Sequence, residues 1–255
     1  NTTGTDMLQA VIEAAEKLRS PVIIGTAEIL LPYGELSLIA PSVIAAAKRA
    51  SVPVVVHYDH GLTFERCMEA LRLGFSSVMY DGSAKPYEQN VAETREIVRI
   101  AHAFHATVEG EIGHVGNADG ADPSVDRYTT VSEARKYLED TGVDALAIAI
   151  GTAHGQYKTA PQLSFDRLRE IRSAIGVPLV LHGGSGLSDN DFRQAIEHGI
   201  AKVNIFTDLC LAGMKANAQS VQDGSDYLAA RNAKKDAIAG AVERKILLFG
   251  SSGKA

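Results

Sequence analysis

Apolar and polar positions along the chain keep two rhythms that take turns. Over residues 6–17 the apolar side chains Met7, Val11, Ile12 and Ala15 recur at helical spacing. Thr5 or Asp6 is placed to cap that helix, and Ser20-Pro21 to end it. Residues 22–26 (Val-Ile-Ile-Gly-Thr) are instead a short apolar run, the pattern of a strand covered on both faces. The same exchange repeats to the end. Helical periodicity over 41–49, 63–73, 87–105, 132–141, 165–175 and 189–198 alternates with apolar runs at 52–56, 77–80, 107–113, 144–150, 177–181 and 201–205. Gly74 is placed to close the helix over 63–73, and helices run from the last strand to about Leu248, broken by the polar stretch 222–226. Strict strand–helix alternation with short connections predicts a parallel sheet in an α/β fold.

Seven strands are read in this way. A (β/α)8 TIM barrel needs eight, so the expectation is a barrel whose first strand lies upstream of Asn1, with an open sheet as the alternative. No linker or shift in composition divides the chain, and residues 1–255 read as a single domain. The hydrophobic fraction of 45% and charged fraction of 22% are those of a globular protein able to bury a large core. A net charge of −6 argues against nucleic acid or an anionic membrane as partner. A phosphorylated ligand would then need a local cradle of backbone N–H groups. Cys67 and Cys210 read as buried free thiols of a reducing compartment. With no membrane-length apolar run and no signal peptide, the expected location is the cytoplasm.

The strand ends change the picture. The run at 52–56 stops at His57-Tyr58-Asp59-His60, and His57 and Asp59 share a face on a regular strand while His60 does not. The strand over 107–113 carries two carboxylates, Glu109 and Glu111, which are costly to bury without partners. Two later strands end in His154-Gly155 and His182-Gly183-Gly184-Ser185-Gly186. The carboxyl ends of parallel barrel strands lie on one rim, so these groups can meet there. Three neutral imidazoles from three strand ends make a catalytic zinc site with an open position. The glycines after His182, with Lys158 just past His154-Gly155 and with Asn204 and Thr207 closing the next strand, suit an anion cradle, or simply a tight turn.

Six segments, Val56-His57-Tyr58-Asp59-His60-Gly61, Met79-Tyr80-Asp81-Gly82-Ser83, Val108-Glu109-Gly110-Glu111-Ile112-Gly113, Gly151-Thr152-Ala153-His154-Gly155-Gln156-Tyr157-Lys158, Leu181-His182-Gly183-Gly184-Ser185-Gly186 and Val203-Asn204-Ile205-Phe206-Thr207-Asp208, occur in this order. Together they resemble the class II, zinc-dependent ketose-bisphosphate aldolases, over nearly the whole chain. The resemblance implies reversible retro-aldol cleavage of a ketose phosphate or bisphosphate to dihydroxyacetone phosphate and an aldehyde, with Zn²⁺ stabilising the enediolate as a Lewis acid. It implies His60, His154 and His182 as zinc ligands and Glu111 as an alternative ligand. Asp59 matches the acid/base that handles the hydroxyl proton at the cleaved bond. Asp81 and Ser83 match positions that border the ligands and a monovalent-cation site, and His57 is either such a neighbour or structural. Gly155, Lys158, Gly183, Ser185 and Thr207 match the phosphate and cation region, and Asn204 a contact to the enediolate. By the same resemblance the protein is a homodimer or homotetramer.

Two departures bear on substrate. Fructose-bisphosphate aldolases carry adjacent glutamates in the loop after Glu111, one of them the base at C3; here that stretch is Gly116-Asn117-Ala118-Asp119-Gly120, and Asp119 is the shorter acid in its place. Residues 26–34, expected to meet the far phosphate, hold no basic residue, and Phe206 stands where the fructose enzymes have a polar group. The expectation is a substrate whose aldehyde half need not be phosphorylated. The rival readings are a metal-dependent barrel hydrolase and a binding protein without activity.

Overall fold

A computed structural model of the protein describes residues 1–113, 115, 128–155 and 161–255. Its elements are α1 (Thr5–Lys17), β1 (Val22–Ala27), a 3-10 helix (Glu28–Tyr33), α2 (Leu36–Arg49), β2 (Val54–Gly61), α3 (Phe64–Leu73), β3 (Ser77–Tyr80), α4 (Tyr87–Ala103), β4 (Thr107–Ile112), α5 (Val131–Thr141), β5 (Ala145–Ile148), α6 (Phe165–Ala174), β6 (Leu179–Leu181), α7 (Asp189–Glu197), β7 (Ile200–Val203), α8 (Thr207–Gln222) and α9 (Tyr227–Phe249). The seven predicted strands are the strands found among the described residues, hydrogen-bonded in chain order from β1 to β7. Pairing from β3 to β7 is parallel throughout.

The chain forms two compact units, one of residues 1–57 with 206–255 and the other of residues 58–205. In the first, α1 and α8 both pack on α9. The apolar stripe of α1 (Met7, Val11, Ala14, Ala15) is buried, as are Ile238 and Val242 of α9. Ion pairs Lys17–Glu243 (2.8 Å) and Arg231–Asp6 (2.6 Å) lie at the margin. α1 starts from Gly4, with no side-chain cap, so Thr5 and Asp6 are its first residues and not the cap expected of them. α2 begins five residues before Pro41, capped by the Glu35 carboxylate. Near a helix start a proline forfeits only one backbone hydrogen bond, so the helix runs through it.

The second unit holds the site. Its strands are apolar where helices cover them: Val78, Val108, Leu146, Ile148, Leu179 and Leu181 are all buried. Helix termini follow the sequence closely. Thr63 caps α3 and Gly74 closes it in the left-handed region at φ 100°. Thr130–Glu133 and Ser188–Asp191 form reciprocal capping boxes on α5 and α7. On β4, Gly110 faces α5, where an added Cβ would stand 2.8 Å from Tyr137 Oη. Glu109 and Glu111 therefore face the other way, on the sheet face turned from the helices. Strand β2 extends to Gly61 and does not stop at Val56, since its polar residues find partners on that same face. Cys67 is a buried free thiol, whereas Cys210 is only half-buried, a correction to the expectation for that residue.

Candidate metal centre

The end of β2 and the segments that follow β5 and β6 bring the imidazoles together. Regular alternation on β2 would put His60 on the face of Tyr58, whose ring packs edge-on against Phe75 on the helix side. His60 instead takes φ 46°, a left-handed conformation that non-glycine residues adopt rarely. That single dihedral turns its ring to His182 and His154, at centroid separations of 4.4 and 4.9 Å. The His154 and His182 rings lie 5.9 Å apart. One ligand atom from each of the three falls within 4.8 Å of the others. His182 is brought close by Gly183, at φ 67°, where an added Cβ would sit 2.5 Å from the Ala153 carbonyl oxygen. Gly155 also has a left-handed φ, of 98°, but open space around it.

Carboxylates fix which nitrogen of the His60 and His182 rings faces the centre. Asp81 Oδ2 lies 2.8 Å from His60 Nδ1. A carboxylate only accepts, so Nδ1 carries a proton and Nε2 is the nitrogen left to a metal that displaces the ring's second proton. His60 Nε2 is buried and makes no hydrogen bond. Asp81 is itself held by Ser83, which donates from Oγ at 2.6 Å and from its backbone N–H at 3.1 Å. On His182 the assignment is reversed. Glu109 Oε1 stands 2.8 Å from Nε2, which therefore donates, and Nδ1 is left as acceptor, 3.2 Å from the Asn204 amide. The same Asn204 amide donates to both oxygens of Asp59, at 3.0 and 3.1 Å. Glu111, 1% exposed, accepts from the Val115 N–H at 3.2 Å, while its Oε2 takes no hydrogen bond and lies 4.0 Å from His60 Nδ1.

The electrostatics ask for a cation. Burial alone would lower the His60 pKa, but Asp59, Asp81 and Glu111 together lift it to about 10. Burial, reinforced by Asp81, raises Glu111 to about 8 against the pull of His60. Asp81 is partly buried, which works against its charge, yet its bond to His60 holds it well below the carboxylate range. His154 is pushed down to about 3, by burial first and then by the charge on His60 and His182, and burial lowers His182 as well. Asp59, Asp81 and Glu111 thus crowd around one ring that holds its proton, His60, and two neutral ones. The orphaned His60 Nε2, beside the His154 and His182 rings and with carboxylates around them, fits a divalent metal ion with nitrogen donors. A second donor group, His60 with Asp81 and Glu111, also lies within 4.8 Å, which fits Glu111 as an alternative ligand.

Of the expected site residues, the structure brings together Asp59, His60, Asp81, Ser83, Glu111, His154, His182 and Asn204. Ser185 is buried in the turn between His182 and α7. Thr207 opens α8, and His57, buried, precedes Asp59 by two on β2. Asp119 and Lys158 lie outside the described residues. The sequence reading assigned no role to Glu109 or Lys202, although a carboxylate and an ammonium inside strand patterns were the available signal.

The family model for class-II fructose-bisphosphate aldolases matches residues 1–254. A "6-phospho-5-dehydro-2-deoxy-D-gluconate aldolase" of Shouchella clausii is 38% identical over 261 residues, covering 100% of this chain and 89% of its own. A "fructose-bisphosphate aldolase" of Staphylococcus aureus Mu50 is also 38% identical, over 268 residues, covering 100% and 92%. The crystal structure of the YdjI aldolase from Escherichia coli K12 superposes with a TM-score of 0.89 at 39% identity, over 99% of this chain and 90% of that one.

Proposed function

The chain belongs to the class II fructose-bisphosphate aldolase family and is a lyase, and on that premise we propose that its three-imidazole centre binds Zn²⁺ and cleaves a ketose phosphate reversibly to dihydroxyacetone phosphate and an aldehyde. The observation that carries this reading is the preset pair of lone pairs, His60 Nε2 and His182 Nδ1, facing a third imidazole with buried carboxylates behind them. Nitrogen donors of this kind favour zinc over the oxygen-seeking magnesium or calcium. The ion, when bound, supplies a Lewis acid for the negative charge that develops on the ketose oxygens as the carbon–carbon bond breaks.

The side chains do the rest. Asp59 takes the proton of the hydroxyl at the bond to be cleaved and returns it in the aldol direction. Asn204 holds that carboxylate by both oxygens and orients it. Asp81 and Ser83 keep His60 in its ligating tautomer, and this pair borders the place for a monovalent cation. Gly155, Lys158, Gly183, Ser185 and Thr207 form the phosphate cradle, and Asp119 serves as the base at C3. The sheet completes a (β/α)8 barrel, the protein works in the cytoplasm as a homodimer or homotetramer, and residues 1–255 act as one domain.

Two relatives of equal identity carry different substrate names, so overall likeness does not choose the sugar. Residues 26–34 form a 3-10 helix and its flanks without a basic side chain. A phosphate on the aldehyde half would find no cation there. Steady-state cleavage of a matched ketose 1-phosphate and 1,6-bisphosphate tests this: kcat/KM should be no lower for the 1-phosphate, and a strong preference for the bisphosphate refutes it.

A further inference from the structure

We propose that Glu109 and Lys202 form a positioning relay that fixes the tautomer of His182 and so sets the affinity of the centre for its metal. This rests on the metal-centre reading above and adds two residues to it. Glu109 is 2% exposed and sits on β4 between His182 and Lys202. Its Oε1 accepts from His182 Nε2 at 2.8 Å and its Oε2 from Lys202 Nζ at 2.8 Å. An ammonium can only donate, and the ion pair it makes keeps Glu109 an acceptor on its other oxygen. His182 must then donate through Nε2 and present Nδ1 to the centre. The Asn204 amide, 3.2 Å from Nδ1, agrees with that assignment from the opposite side of the ring.

The backbone is arranged to deliver Lys202. On β6 and β7, Leu179 pairs with Ile200 but Val180 pairs with Lys202, so β7 carries one extra residue at Ala201. Paired residues on neighbouring strands point to the same face, and Val180 lies two before His182. Without the bulge Lys202 would pair with Leu181 and point to the helices. With it, the ammonium reaches the face that carries Glu109 and His182. Bulges of this kind re-aim side chains next to functional sites. No pairing requirement of the sheet explains the extra residue, since β7 continues in register at Leu181–Val203.

Partners that orient a ligating histidine are worth about 10- to 100-fold in metal affinity. The experiment titrates metal-free wild type, Glu109→Gln, Glu109→Asp and Lys202→Met with Zn²⁺ against a competing chelator. It also reads the His182 tautomer in the metal-free proteins by ¹⁵N NMR. Gln keeps the size of Glu but can donate, which admits the tautomer with a proton on Nδ1. Glu109→Gln should bind zinc about 10- to 100-fold more weakly and lose the single Nε2–H form. Glu109→Asp should retain that form, and Lys202→Met should weaken zinc in the same direction. Wild-type affinity together with an unchanged tautomer in Glu109→Gln overturns the relay. If that variant does not fold, Lys202→Met, which leaves the carboxylate in place, decides by the same two readings. Failure of the wild type itself to take up one zinc overturns the metal centre, a result distinct from loss of the relay alone.

Discussion

Replacing Asp59 by Asn isolates the proton-transfer step from the metal. Asp59 is 1% exposed and both its oxygens accept from one Asn204 amide, at 3.0 and 3.1 Å. Asn has nearly the same shape, and its carbonyl keeps one of the two hydrogen bonds. The lost bond costs about 1 kcal/mol, which for a chain of this size lowers Tm by about 2–4 °C. Asp59 is not one of the three imidazole donors, so metal content should stay at the wild-type level. Turnover is another matter. An amide cannot accept the hydroxyl proton, and a positioned general base contributes about 10²–10⁴-fold. That factor corresponds to a barrier increase of about 2.7–5.4 kcal/mol. The assay couples dihydroxyacetone phosphate release to a reductase, with metal content measured on the same sample. A variant that keeps its metal and turns over within about tenfold of wild type refutes the role given to Asp59; a variant that loses its metal shows that the carboxylate acts on the centre itself.

Other residues give separate outcomes. His182→Ala removes one of the three imidazoles and should abolish stoichiometric zinc uptake, read by elemental analysis after dialysis; a full equivalent retained would remove His182 from the ligand set. Gly183→Ala puts a methyl 2.5 Å from the Ala153 carbonyl oxygen at φ 67°, so it should cost about 1–3 kcal/mol and weaken zinc binding by parting the two loops, both measurable by thermal unfolding and metal titration. Gly110→Ala should overpack the interface with Tyr137 by a similar amount and lower Tm by about 2–12 °C while leaving metal content alone. Asp81→Ala frees His60 Nδ1 from the bond that sets its tautomer and should weaken zinc about 10- to 100-fold, with unchanged affinity as the refuting result.

The element order was legible in the sequence because most strands of this sheet contain a short apolar run and the helices between them carry apolar stripes, patterns that need no partner to be recognised. The convergence of His60, His154 and His182 was legible for a related reason, since strand-end residues of a parallel sheet share a rim wherever the strands fall. Boundaries were less so. The apolar run stops at Val56, yet β2 runs on through His57, Asp59 and His60 to Gly61, because polar partners reach Asp59 from Asn204, 145 positions away, and His60 from Asp81, 21 positions away. Glu109 and Glu111 looked anomalous in a strand pattern, and only the fold explains why they are tolerated there.

By itself the sequence determined which residue types stand at which strand ends, and with them the kind of chemistry the protein could hold. The tertiary structure decided which nitrogen of the His60 and His182 rings is offered. That choice depends on a left-handed dihedral at His60, a one-residue bulge before Lys202, and carboxylates delivered from other strands. Hydrogen-bond direction is a property of pairs in space, and a chain read one residue at a time contains only one member of each pair.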